Sequence, residues 1–114
     1  MEPTMNTYDD DVMTLDDAGI TIKNYNFPDR PRHIHYRDIS HAELISLSFG
    51  TGKHQLVGIG PLRPRHFFHW DRKRKTKSHA VSLDLGHWLR VAITPDDAER
   101  VFALIRSKTL ATQA

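Results

Sequence analysis

What most limits the fold of this chain is its C-terminal stretch. Two alternating apolar runs, Val81-Leu83-Leu85 and Leu89-Val91-Ile93, flank Gly86-His87 and lead directly into Thr94-Pro95-Asp96-Asp97. Beyond that lies an apolar stripe at Ala98, Val101, Phe102 and Ile105. Alternation with period two marks strands, and the i, i+3, i+4, i+7 spacing marks one face of a helix. Gly86-His87 suits a two-residue type II′ turn. Thr94 suits an N-cap, Pro95 the first helical position, and Asp96 and Asp97 the positive end of the helix dipole. Arg106 and Lys108 suit the helix C-terminus, which is expected near residue 108. The stripe must lie on something, and the only candidate is a sheet. The expectation is a mainly β domain closed by one C-terminal helix, with Val101 and Phe102 buried against the sheet.

Upstream, residues 1–11 are acidic and polar and read as a disordered leader, residues 12–108 as one domain, and residues 109–114 as a flexible tail. Val12 to Leu15 reads as a short strand, and Asp16 to Gly19 as a turn whose glycine can take positive φ. Gly19 to Phe27 and Arg32 to Tyr36 follow as strands, the latter with His33 and His35 opposite Ile34 and Tyr36. Ile39 is expected to plug the core, and His41 to Phe49 to form a longer strand. Gly50-Thr51-Gly52 reads as a turn, Gln55 to Ile59 and Arg65 to Trp70 as strands, and the proline-bearing stretch between them as an irregular connection. The total is seven or eight strands and one helix.

The chain has 114 residues and no cysteine. That length makes one domain with its own core, and the missing cysteines exclude disulfides, thiol nucleophiles and cysteine-ligated zinc. No basic and apolar leader marks a signal peptide, and no apolar run approaches the roughly 20 residues that span a bilayer, so a cytoplasmic protein is expected. The net charge of +2 hides segregation. Residues 1–17 hold six acids and no base, while residues 63–77 hold seven bases against Asp71 alone. Such asymmetry points to an anionic partner, or to an acidic arm lying on a basic face.

Taken in order, the Leu15-Asp16-Asp17-Ala18-Gly19-Ile20 turn, the Ile34-His35-Tyr36-Arg37-Asp38-Ile39 segment and the closing Ile93 to Phe102 stretch resemble the small bacterial pleckstrin-homology-like (PH-like) proteins. The likeness covers about residues 12–108. It implies a PH-like split barrel of about seven antiparallel strands, half open, with the helix plugging one end. That superfold serves as a binding scaffold without a shared active site. Lipid-binding members build a basic pocket around the first hairpin loop, which here is the acidic Asp16 to Gly19, so that pocket does not carry over.

No nucleophile elbow, phosphate-binding glycine loop or dinucleotide fingerprint is present, so no catalytic residue and no cofactor is assigned. His33 and His35 share a strand face but supply only two nitrogens, and a metal would need further ligands such as His41 or Asp38. The strongest candidate site is an anion-binding set of Arg63, Arg65, Arg72, Lys73, Arg74, Lys75 and Lys77, interleaved with Phe67, Phe68 and Trp70. The alternative for this stretch is core aromatics followed by a solvated loop. Trp88 is expected on a strand face in the core. The resulting expectation is a non-enzymatic scaffold whose partner is another protein or a second copy of itself. Its rival is a module for membrane headgroups or nucleic acid.

Overall fold

A computed structural model describes residues 7–47, 57–59 and 65–113. The expected turn at Gly50 to Gly52, the connection at residues 60–64, Arg63 and most of the leader lie outside these residues. Among the described residues nine strands and one α-helix form in the order β1 (Tyr8–Asp9), β2 (Met13–Leu15), β3 (Gly19–Ile22), β4 (Arg32–His35), β5 (His41–Ser46), β6 (Gly58–Ile59), β7 (His66–Phe68), β8 (His79–Asp84), β9 (Arg90–Ile93) and α1 (Ala98–Gln113). They build two sheets, β1-β2-β3-β4 and β5-β8-β9-β7-β6. The mainly β class with one C-terminal helix is as expected. The described strands form no closed barrel, and β7 runs parallel to β9, so the sheets depart from an all-antiparallel arrangement. Among the described residues no helix is long and apolar enough to cross a membrane.

The main core lies where the two sheets and α1 meet. Met13, Leu15, Ile20, Ile22 and Ile34 come from the first sheet, Val81, Leu83, Val91 and Ile93 from the second, and Val101 and Ile105 from the helix. Ile39 plugs this core as anticipated. The other face of the second sheet carries a smaller cluster of Leu47, Phe68, Ala80 and Ala92, with Ile45 against it. Period-two alternation sorts β8 and β9 residues between these two cores.

Several local expectations are corrected. Residues 7–11 are not a loose leader: Tyr8 is buried and β1 pairs with β2. The chain past residue 108 is not a tail, since α1 continues to Gln113 and buries Thr109. The β8–β9 connection spans residues 85–89, not two residues, although Gly86 does take φ +84°. The longer loop pairs Leu83 with Val91 and Val81 with Ile93, all on the inner face. A two-residue turn at Gly86-His87 would set Leu83 against Arg90, and such a one-residue slip moves a strand's apolar set to the wrong face. The price of this register is Trp88, which sits at the tip and is 73% exposed, not in the core.

Gly19 is needed for space and not for positive φ: a Cβ there would stand 2.3 Å from the Ile34 carbonyl oxygen. Asp16 makes the turn before it by accepting the N–H groups of Ala18 and Gly19 at 2.8 and 3.0 Å. At the helix, Asp97 and not Thr94 is the cap, with Oδ1 accepting the Arg100 N–H at 3.2 Å. Thr94 is fully buried and committed elsewhere.

Candidate functional site

The seven cations expected to share one anion site are divided by the structure. Arg63 lies outside the described residues. Arg65 is half-buried, and its carbonyl accepts the Arg90 N–H at 2.9 Å. Arg72, Lys73 and Lys75 are exposed. Arg74 is only 1% exposed, and Lys77 points inward to an ion pair with Asp71 at 2.8 Å. The segment is therefore neither a uniform basic face nor a simple solvated loop.

Its inward half forms a buried polar cluster with the β9–α1 junction. Thr94 Oγ1 donates to Asp71 Oδ2 at 2.7 Å, and the Thr94 N–H donates to His69 Nε2 at 3.0 Å. His69 Nδ1 lies 3.0 Å from the Trp70 carbonyl, which can only accept, so Nδ1 carries the proton. The Arg74 guanidinium donates to the His69 carbonyl and lies 5.0 Å over the Phe68 ring. Lys77 also donates to the Thr94 carbonyl. Burial pushes the His69 imidazole down to about 4, with Arg74 adding to the effect. Burial alone would raise Asp71, but hydrogen bonds from Lys77 and Thr94 outweigh it and hold the carboxyl below its ordinary range. Burial likewise lowers Arg74 to about 10, which leaves it charged at neutral pH.

A hydroxyl between a carboxylate and an imidazole has the parts of a nucleophile and base. Here Thr94 and His69 have no exposed surface, so no substrate reaches them. Every buried side-chain polar atom among the described residues has a partner. What this cluster does is fix the Asp71 to Lys77 loop and carry Arg72, Lys73 and Lys75 on its outside. Lys73 is 3.5 Å from Asp11, and Trp70, Arg72, Lys73, Asp11 and Asp96 border a shallow cleft whose charges nearly cancel.

Among the described residues the remaining histidines do not gather. His33 and His35 are exposed on β4, with His33 Nδ1 2.9 Å from Thr21 Oγ1. His41 lies instead on β5, 3.6 Å from Glu43. His66 is buried with its Nε2 2.7 Å from Ser82 Oγ.

A second feature went unread in the sequence. β5 is an outer strand of the second sheet, and beside it runs a groove of about 390 Å³ against α1. Ile39, Ala42, Phe102 and Leu110 give it apolar walls, and His41, Glu43 and Arg106 its polar margin. Phe102 is a half-buried wall here, not the deep core residue its position in the stripe suggested. Leu110 is 61% exposed. The signal for this groove was Leu110 itself, an apolar residue five positions past Ile105 and off the phase of the stripe. No family model, no curated protein and no solved structure matches the chain.

Proposed function

We propose that this chain is a non-enzymatic protein-binding module that takes an extended segment of its partner along the open edge of β5. One observation carries the reading: a six-residue outer strand lies beside a groove against α1 that has both apolar walls and a polar margin. Free backbone groups along such an edge supply affinity, and the flanking groove receives side chains of the added strand. An apolar centre in Phe102 and Leu110 with a polar margin of His41, Glu43 and Arg106 fits a protein partner. A PH-like scaffold role, implied by the order of the elements, agrees with binding without chemistry.

A second reading, a module for anionic ligands, draws on Arg72, Lys73 and Lys75, which stand exposed on the loop that follows Trp70. The acids of the adjoining cleft weaken it, because a phosphate entering there meets Asp11 and Asp96 as well as the cations. A photoreactive amino acid at Leu110 or, separately, at Lys75 in the native host separates the two. Protein adducts at Leu110 with none at Lys75 are expected. Nucleic-acid or lipid adducts at Lys75 alone would replace the first reading by the second.

A further inference from the structure

We infer that β5 pairs with β5 of a second copy of this chain, antiparallel about a twofold axis at Leu44. This rests on the reading of β5 as a docking edge and names its occupant. Among the described residues four strands lie at the sheet margins: β1, β4, β5 and β6. β1 and β6 have two residues each, and β4 has four, beginning at Arg32 directly after Pro31. Shortness, proline and charged side chains, lysine above all, are the usual protections of an open edge, and β5 has of these only Glu43. β5 has six residues, no proline and no lysine or arginine, and among the described residues it pairs only with β8.

The register follows from the strand. The Leu47 N–H bonds to the Ser78 carbonyl at 2.8 Å, and the same pairing continues through Ile45↔Ala80 and Glu43↔Ser82. Odd-numbered residues therefore direct their backbone groups at β8, and Ala42, Leu44 and Ser46 direct theirs at the open edge. A twofold axis perpendicular to the sheet keeps both main cores on one side, which requires paired residues to share a face. Centred on Glu43, the two carboxylates would stand opposite each other with Cα atoms about 4.5 Å apart and repel. Centred on Ala42, His41 would face Glu43, but Ser40 has already given its N–H to the Asp84 carbonyl, so few bonds remain. Centred on Leu44, Leu44 meets Leu44, Ala42 meets Ser46 twice, and Glu43 lies opposite Ile45. All three outward residues then use both backbone groups.

The chain has no cysteine, so Leu44→Cys supplies the only thiol. At the twofold the two Cα atoms stand about 5.5 Å apart, within disulfide range, whereas residues off the axis are farther from their own copies. Mild oxidation is expected to link L44C into a covalent dimer roughly ten-fold faster than E43C or S46C. The unaltered protein is expected to sediment as a dimer, and S46P, which removes an outward N–H without touching the β8 ladder, as a monomer with an unchanged far-ultraviolet spectrum. Monomeric sedimentation of the unaltered protein at every concentration, with equally slow oxidation of L44C and E43C, overturns the pairing. If that monomer still yields adducts with a different protein from Leu110, only the self-pairing fails. If neither is seen, the docking reading fails with it.

Discussion

His69 is neutral first because burial disfavours its charged form, and the partners of its two ring nitrogens suit the neutral ring. Nδ1 gives its proton to the Trp70 carbonyl, and Nε2 receives the Thr94 N–H. A second proton on Nε2 would face that N–H and the nearby charges of Arg74 and Lys77, with the Trp70 carbonyl and Asp71 too weak to offset burial. The folded ring titrates near 4 against an ordinary 6.5, so folding favours the neutral form. This contribution is full above pH 6.5 and is lost as pH falls from 6.5 towards 4; linkage makes it worth up to roughly 3 kcal/mol. Urea denaturation should show stability dropping across that window, and His69→Gln should be less stable at pH 7 with a flatter profile. An unchanged slope in H69Q would assign the acid loss to another group. One hint of this cluster was legible in advance, the single acid Asp71 within seven bases. Its partners were hidden because Thr94 lies 25 positions from His69 and reads more naturally as a helix cap.

At the scale of the element, α1 separates what periodicity can tell from what it cannot. The stripe at Ala98, Val101 and Ile105 is buried as its spacing demands, since those positions face the sheet in any helix of this phase. Phe102 falls on the stripe's margin, where burial depends on how far β5 reaches, and that is a tertiary property. Ile105→Ala is therefore expected to cost about 2–5 kcal/mol by opening an enclosed cavity. Phe102→Ala should cost less, about 1–2 kcal/mol, because its site already borders solvent. Equilibrium denaturation of the two variants gives the order, and the reverse order would place Phe102 in the core. The cap shows the same limit. Thr94, Pro95, Asp96 and Asp97 all suit a helix start, and only the burial of Thr94 in the polar cluster moves the cap to Asp97, where Asp97→Ala should cost about 1 kcal/mol. Similarly, alternation identified β8 and β9, while the register and the fate of Trp88 depended on which faces had to meet.

Across the whole molecule, the charge segregation visible in the sequence becomes a set of ties between chain ends. Asp9 pairs with Lys23 at 2.8 Å, and Asp11 approaches Lys73 at 3.5 Å across 62 positions. Both are solvent-facing contacts, screened by water and salt, and contribute little to stability. Asp10, between them, is different. It accepts the N–H groups of Val12 and Met13 at 2.7 and 2.9 Å, the N–H of Asp96 ahead of α1 at 2.8 Å, and the Tyr8 hydroxyl. Tyr8 in turn accepts the Asp97 N–H at 3.1 Å and lies in the main core. Burial would raise the Asp10 carboxyl, but these donors hold it below the ordinary range. An acidic arm merely resting on a basic loop could be deleted without loss; this one closes the first sheet and anchors the helix. Deleting residues 1–11 should therefore lower the melting temperature markedly, and Asp10→Ala alone should cost roughly 1–3 kcal/mol. The loss should persist in high salt, because hydrogen bonding and burial cause it, whereas an ion-pair origin would fade as salt screens exposed charges. Thermal melts of the full chain, the deletion and D10A at low and high salt decide the matter. A deletion that melts with the full chain would return residues 7–11 to the role of a loose leader.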